Sequence, residues 1–313
     1  MSEQVVYLPD AIPADGKQIL EAANLKVVVG NGRARELMMA EGADASAVII
    51  GTQKFDAEIM DSMPNLKVIA RNGVGYDSVD IDAATERGIQ VVNTPTALSG
   101  SVAETAVTEL LTISKNIYQD SKALNEGNWN YRKTHLGRDV YGKTVGILGF
   151  GRIGQEVAQK LSGFGVNIIA VDPFAKETEN VNLVDRDYLF KNADYIMVHL
   201  PAIPATEHSI GKAEFDMMKD DAYLINMARG SILVEEDLVN ALKNHDIAGA
   251  ALDVFEEEPL PITNPLVGLE NVLLTPHIAS NTVETKSRMA IDASNDIVSI
   301  LNGEEPKYKV NKL

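Results

Sequence analysis

The chain has 313 residues, 45% of them hydrophobic and 23% charged, with no cysteine and a formal net charge of −17. Disulfides, thiolate nucleophiles and cysteine metal sites are therefore excluded, and so acidic a surface repels nucleic acid and anionic membranes. The length suits two domains with separate cores, and with neither a signal-peptide pattern nor an apolar run of membrane-spanning length, a cytoplasmic protein is expected.

Residues 1–95 alternate short apolar runs with polar-apolar segments. Strands are predicted at Val5–Leu8, Val27–Val29, Ala47–Ile50, Leu66–Ala70 and Gln90–Val92, with helical segments such as Lys17–Ala23 and Ile81–Arg87 between them. This is the rhythm of a parallel α/β sheet. The run Arg71-Asn72-Gly73-Val74-Gly75-Tyr76-Asp77 follows the fourth strand. Its glycines either expose backbone N–H groups as an anion nest or simply turn the chain. Asn93-Thr94-Pro95 breaks the pattern, and one long helix is predicted from about Ser99 to Asn125, ended by Gly127. Within it, Tyr118-Gln-Asp-Ser-Lys122 has the spacing of the short-chain dehydrogenase Tyr-x-x-x-Lys. In those enzymes the tyrosine follows the glycine-rich turn; here it precedes it, so the match reads as a helix-surface coincidence.

A second α/β series begins at Val145. Strands are predicted at Val145–Gly149, Val166–Val171, Tyr195–Leu200, Ala222–Met227, Ile247–Leu252 and Val272–Thr275, with helices over 152–163, 212–219 and 235–244. Six strands in this order fit a doubly wound dinucleotide domain. A last helix over 282–301 follows the sixth strand and is expected to return to the first domain, making that domain discontinuous.

The first turn of this series carries Gly149, Gly151 and Gly154 as Gly-x-Gly-x-x-Gly, between an apolar strand and a helix, and Asp172 closes the next strand. Gly149 permits a tight turn, Gly151 leaves room for a pyrophosphate, and Gly154 lets helix and strand pack closely. The helix N-terminus offers N–H groups to an anion. Asp172 is placed to accept hydrogen bonds from adenosine ribose hydroxyls and to repel a 2′-phosphate, which favours NAD. An ordinary strand–helix turn is the plainer alternative. An anionic cofactor on an acidic protein needs local positive charge, which draws notice to Arg71, Arg132, Lys133, Arg152 and Arg229.

Sheets of this kind react at the C-terminal ends of their strands. Arg229, Glu258 and His277 follow three such ends. Hydride exchange between a nicotinamide and an alcohol carbon needs a proton acceptor with a pKa near working pH, and histidine suits that work. A carboxylate on the second ring nitrogen fixes the tautomer, so Glu258 is the candidate partner of His277. A guanidinium grips a substrate carboxylate with parallel hydrogen bonds, the role assigned to Arg229. Taken singly, each has a plainer reading: a surface ion pair, a solvated histidine, part of the acidic run Glu256–Glu258. His199 ends the strand Tyr195–Leu200, precedes Pro201 and is placed beside the adenine. His135, His208 and His245 lie in polar segments and read as surface. No histidine–carboxylate spacing suits a metal, and none is expected.

In the motifs Arg71–Asp80, Val92–Pro95, Ser101–Glu104, Gly142–Gly154, Asn226–Gly230, Ala251–Pro259 and Thr275–Ala279, the chain resembles the D-isomer-specific 2-hydroxyacid dehydrogenases over nearly its whole length. The resemblance implies two Rossmann-like α/β domains. The first, a flavodoxin-like substrate domain, comprises residues 1–97 plus 286–313. A doubly wound NAD-binding domain, 98–285, is inserted in it, and the cleft closes over substrate. It implies the catalytic roles above for Arg229, Glu258 and His277, and backbone contacts to the substrate carboxylate from Asn72, Gly73 and Val74. It implies NAD as cofactor, held by Gly149, Gly151, Arg152, Ile153, Gly154, Asp172, His199, Pro201, Thr206, Ala228 and Asp253, the last through the carboxamide. It also implies a homodimer through the NAD-binding domain.

Within the family the chain most resembles phosphoglycerate dehydrogenases. Arg71 and Arg132, in Trp129-Asn-Tyr-Arg-Lys133, match phosphate-binding cations there, which points to 3-phosphoglycerate. The chain departs from that pattern in two ways: Ile50 stands where many of those enzymes have arginine, and no C-terminal regulatory domain is expected; Thr105 also replaces a histidine common in the wider family. The alternatives are a reductase of hydroxypyruvate, glyoxylate or another unphosphorylated 2-oxo acid, and a non-catalytic NAD-sensing protein.

Overall fold

The computed structural model describes residues 3–176 and 178–313. The chain divides into two compact units, one made of residues up to Leu98 together with Asn281–Leu313, the other of Ser99–Ser280.

In the first unit, strands β1 (Val5–Leu8), β2 (Lys26–Val29), β3 (Ala47–Ile50), β4 (Val68–Arg71) and β5 (Gln90–Asn93) form a five-stranded sheet in the order β2-β1-β3-β4-β5, with every pairing parallel. This is the flavodoxin-like order. The strands are continuous apolar runs because both faces are covered. Tyr7, Val48, Ile50, Ile69 and Val91 pack on one side, and Val6, Leu8, Ala47, Ile49, Val68 and Val92 on the other. The connecting helices are α1 (Ala14–Ala22), α2 (Arg35–Glu41), α3 (Ala57–Asp61) and α4 (Ile81–Glu86). The Asp56 and Asp80 carboxylates accept the Ile59 and Ala83 N–H groups and start α3 and α4.

The second unit opens with α5 (Ser99–Ser114) and α6 (Ile117–Asn125) where the sequence predicts one helix. Asn116 breaks it by taking a left-handed conformation, φ 58°, with its amide donating to the His135 carbonyl. There follow β6 (Thr144–Leu148), α7 (Arg152–Leu161), β7 (Asn167–Val171), β8 (Val181–Leu183), α8 (Arg186–Asn192), β9 (Tyr195–Val198), α9 (Lys212–Phe215), β10 (Tyr223–Asn226), α10 (Glu235–Asn244), β11 (Gly249–Leu252) and β12 (Val272–Leu274). The sheet order is β12-β11-β10-β9-β6-β7-β8, all parallel, with the topological switch between β6 and β9. The edge strand β8 is absent from the prediction because three residues, with a polar Asn182 at the centre, carry too little pattern.

The final helix α11 (Val283–Leu301) lies wholly in the first unit, whereas the sequence reading divides it at residue 286. Its Ala293 and Ile297 fill the core beside Val6, Leu20 and Val68. Among the described residues, no helix is long and apolar enough to cross a membrane, and no group of three or more histidine or acidic side chains could hold a metal.

Candidate active site

The switch point is built by the glycine turn. Gly149 has φ 91°, and a Cβ there would stand 2.6 Å from the His199 carbonyl oxygen. A Cβ on Gly154 would stand 2.3 Å from the Gly149 carbonyl oxygen. Glycine at both positions lets β6, α7 and the end of β9 meet. At Gly151, open space lies where a side chain would point. Beyond it the first-turn N–H groups of α7 have no intrahelical acceptor, with Arg152 exposed and Ile153 half-buried. This cradle has the shape and polarity for a dinucleotide pyrophosphate.

Asp172, past β7, accepts the Phe150 N–H at 2.9 Å through one oxygen and the Phe174 N–H at 2.8 Å through the other. It braces the turn, and each oxygen keeps a second lone pair for a ribose hydroxyl. His199 follows β9. Both ring nitrogens are buried with no hydrogen-bond partner among the described residues, and burial pushes the pKa down to about 4, so the ring is neutral. A polar ligand over the turn would relieve those nitrogens. Thr206 donates to the Pro201 carbonyl at 2.5 Å and accepts the Ile203 N–H, which shapes the loop beyond His199.

Three further strand ends carry the candidate reacting groups. At β10, the fully buried Asn226 accepts the Ala228 N–H at 3.0 Å and donates to the Arg229 carbonyl at 2.9 Å. Sequence reasoning gave Asn226 no role; an amide closing an apolar strand was the available signal. The half-buried Arg229 donates to the Ala228 carbonyl at 2.7 Å. A Cβ on Gly230 would overlap the Phe255 backbone, so glycine there brings the arginine loop against the Glu258 loop.

Glu258 accepts the Phe255 N–H at 3.0 Å, and its other oxygen lies 2.7 Å from Nδ1 of His277. Partial burial alone would raise the Glu258 carboxyl. The His277 hydrogen bond, the Phe255 N–H and the charges of His277 and Arg229 outweigh it and hold the group below the usual carboxylate range. The carboxylate selects the tautomer with hydrogen on Nδ1, leaving Nε2 for proton exchange. His277 has φ 52°, unusual for a residue with a Cβ, and its N–H donates to the Asp253 carbonyl at 2.9 Å.

Asp253 braces this loop. Its residue is fully buried, and its oxygens take the Ile278 N–H at 2.7 Å, the Ala279 N–H at 2.8 Å and the Thr275 hydroxyl at 2.7 Å. The carboxylate holds the loop that carries His277, and its Oδ2 takes only the Ala279 N–H among the described residues, which leaves it a lone pair.

The predicted substrate cations lie on two other segments. Arg71 is buried at the end of β4 and donates to the Asn72 carbonyl at 2.5 Å. The Asn72 and Gly73 N–H groups donate to the Ile50 and Arg71 carbonyls, so of the three expected substrate contacts the Val74 N–H is the one that carries no hydrogen bond among the described residues. Arg132 lies on the short turn Tyr131–Lys133 with its guanidinium 5.3 Å from the Trp129 ring centroid. The neighbouring Tyr131 and His135 line a cavity with Tyr223, Ala248 and Asn271, where β10, β11 and β12 begin. Within its own unit this turn is therefore at the opposite end of these strands from Arg229 and His277.

A glycine cradle at a switch point, with an arginine and a carboxylate-bound imidazole on neighbouring strand ends, defines a dinucleotide-dependent oxidoreductase. The model of the D-isomer specific 2-hydroxyacid dehydrogenase NAD-binding domain matches residues 107–279. A glyoxylate reductase of Thermofilum pendens is 41% identical over 327 residues, covering 100% of this chain and 96% of that protein. A D-3-phosphoglycerate dehydrogenase of Archaeoglobus fulgidus is 39% identical over 311 residues, covering 98% of this chain but 59% of that protein. Among solved structures, the NADPH-dependent glyoxylate/hydroxypyruvate reductase of Sinorhizobium meliloti, in complex with NADP and malonate, has a TM-score of 0.89 and 32% identity, with 99% of this chain and 97% of that one covered. The chain belongs to the D-isomer specific 2-hydroxyacid dehydrogenase family. It is thus an NAD(P)-dependent oxidoreductase acting on the CH–OH group of 2-hydroxy acids.

Proposed function

We propose that this protein interconverts a short, unphosphorylated 2-oxo acid of the glyoxylate or hydroxypyruvate class and its D-2-hydroxy acid, with NAD(H) preferred. The observation that carries the substrate reading is the placement of the cations expected to bind phosphate. Arg71 is buried against its own loop, and the turn that carries Arg132 lies by the starts of β10, β11 and β12, opposite the strand ends that carry Arg229 and His277. The cofactor reading rests on Asp172, whose negative charge closes the second strand of the dinucleotide unit and disfavours a 2′-phosphate. Bound nicotinamide supplies or accepts the hydride at substrate C2. Arg229 orients the substrate carboxylate through paired N–H donors. His277, held by Glu258, gives a proton from Nε2 to the carbonyl oxygen during reduction and takes it back during oxidation.

A steady-state screen of glyoxylate, hydroxypyruvate, pyruvate and 3-phosphohydroxypyruvate with NADH and NADPH tests this. The expected result is kcat/KM highest for glyoxylate or hydroxypyruvate with NADH. A preference for the phosphorylated acid would instead support the second reading, which the phosphoglycerate dehydrogenase relative favours. Inactivity towards all four would overturn the proposed substrate class.

Trp129, Leu136 and Tyr141 of the second unit are 63%, 81% and 79% exposed. Large apolar side chains left bare on one segment suit burial against a second copy of the chain, and a homodimer is the proposed assembly. Light scattering on the purified protein checks it.

A further inference from the structure

Helix α5 carries a polar stripe with a role in none of the steps above. Ser101, Thr105 and Glu109 recur at i, i+4 and i+8, so they share one helix face. That face is buried: Ser101 is 6% and Glu109 3% exposed. All three side chains meet the His277 loop. Ser101 and Thr105 donate to the Ala279 carbonyl at 3.0 and 3.2 Å, and Glu109 Oε1 lies 2.7 Å from Thr275 Oγ1.

The same Thr275 hydroxyl lies 2.7 Å from Asp253 Oδ1. A hydroxyl has one hydrogen and cannot donate to two carboxylates. Asp253 also accepts two backbone N–H groups, so it is the acceptor end of the chain. Glu109 has no such support: Oε2 is buried with no hydrogen-bond partner among the described residues. Lys160, in the last turn of the neighbouring α7, pairs with Glu104 instead, and Asp253 is the charged group that acts on Glu109. A buried anion with one unsupported oxygen beside a second carboxylate is costly; a carboxylic acid there completes the hydrogen bonding.

We propose that Glu109 is a proton-bearing positioning residue whose O–H donates to Thr275, which donates to Asp253, fixing the loop that carries His277. This rests on the reading of His277 as the acid–base group. Consistent with it, burial raises the Glu109 pKa to about 7, with the charge of Asp253 adding to the rise against the Thr275 hydrogen bond. Above that pH, Thr275 faces two anions with one hydrogen. The chain then breaks at one end, and the left-handed His277 loses part of its support.

The test compares wild type, E109Q and E109L as full-length protein. At pH 6 the wild-type infrared spectrum shows a protonated-carboxyl carbonyl band that both variants lack, and this band fades as pH rises through about 7. In the oxidative direction wild-type turnover falls above the Glu109 transition by about threefold to tenfold, whereas E109Q, whose amide replaces the O–H donor, shows no such fall. E109L, with no donor, loses about tenfold in kcat across the range, with little change in KM for NAD. Identical carboxyl bands in wild type and E109Q, or superimposable oxidation profiles, would overturn the proposal. A fully active H277A would remove the acid–base reading while leaving the Glu109 band in place, so the two failures are distinct.

Discussion

Two glycine-rich loops follow the ends of parallel strands here, and they use their backbones in opposite ways. After β4, the Asn72 and Gly73 N–H groups turn back to the Ile50 and Arg71 carbonyls, and the Arg71 guanidinium occupies the space a Gly73 side chain would need. After β6, Gly149 and Phe150 tie the turn to β7 and Asp172, and Gly151 then opens onto the start of α7. Glycine spacing looks similar in both. What separates them is the next element: a ten-residue helix lines up free N–H groups behind Gly151, while the Arg71 loop leads into irregular chain.

This contrast can be broken most sharply at the chemistry. If the turn after β6 only holds cofactor, His277→Ala lowers turnover about 10²-fold or more while NADH binding, read by fluorescence titration, stays within about twofold. A parallel loss of binding would join the two functions in one loop.

At the closed loop, Arg71→Ala should lower thermal stability and raise KM about tenfold for glyoxylate and 3-phosphohydroxypyruvate alike, because the guanidinium shapes its own loop. A loss confined to the phosphorylated acid would restore Arg71 as a phosphate ligand. At the open turn, Asp172→Ala should shift the NAD-to-NADP preference about tenfold towards NADP and weaken NAD, since both the charge and the Phe150 brace go. An unchanged ratio would place selectivity elsewhere.

The smallest effect is a pH dependence at the switch point. The folded-state pKa of His199 is depressed to about 4 from an ordinary 6.5, so the unfolded chain binds the extra proton first on acidification. Its contribution to stability is complete above pH 6.5 and is lost as pH falls towards 4. Melting curves of His199→Phe should flatten in that window relative to wild type.

Much of this was readable in advance because it depends on local pattern. Apolar runs of strand length, the Gly149–Gly154 turn and the acid at Asp172 sit within one β-α-β unit, where sequence neighbours are also spatial neighbours. The pairing of Glu258 with His277 was inferred from chemistry, and the structure brings the two within hydrogen-bond distance. The role of Glu109 and the bracing of the His277 loop by Asp253 were missed for a common reason: the partners of both groups lie on other elements, so their meaning depends on which strand end or helix face they meet.

The linear order of residues by itself determined a two-part parallel α/β chain, a dinucleotide turn and the family. Tertiary structure alone decided which polar groups face a ligand and which hold the scaffold. The physical reason is that a carboxylate or guanidinium takes its role from its desolvation and its hydrogen-bond partners, and those are set only once distant strands lie side by side.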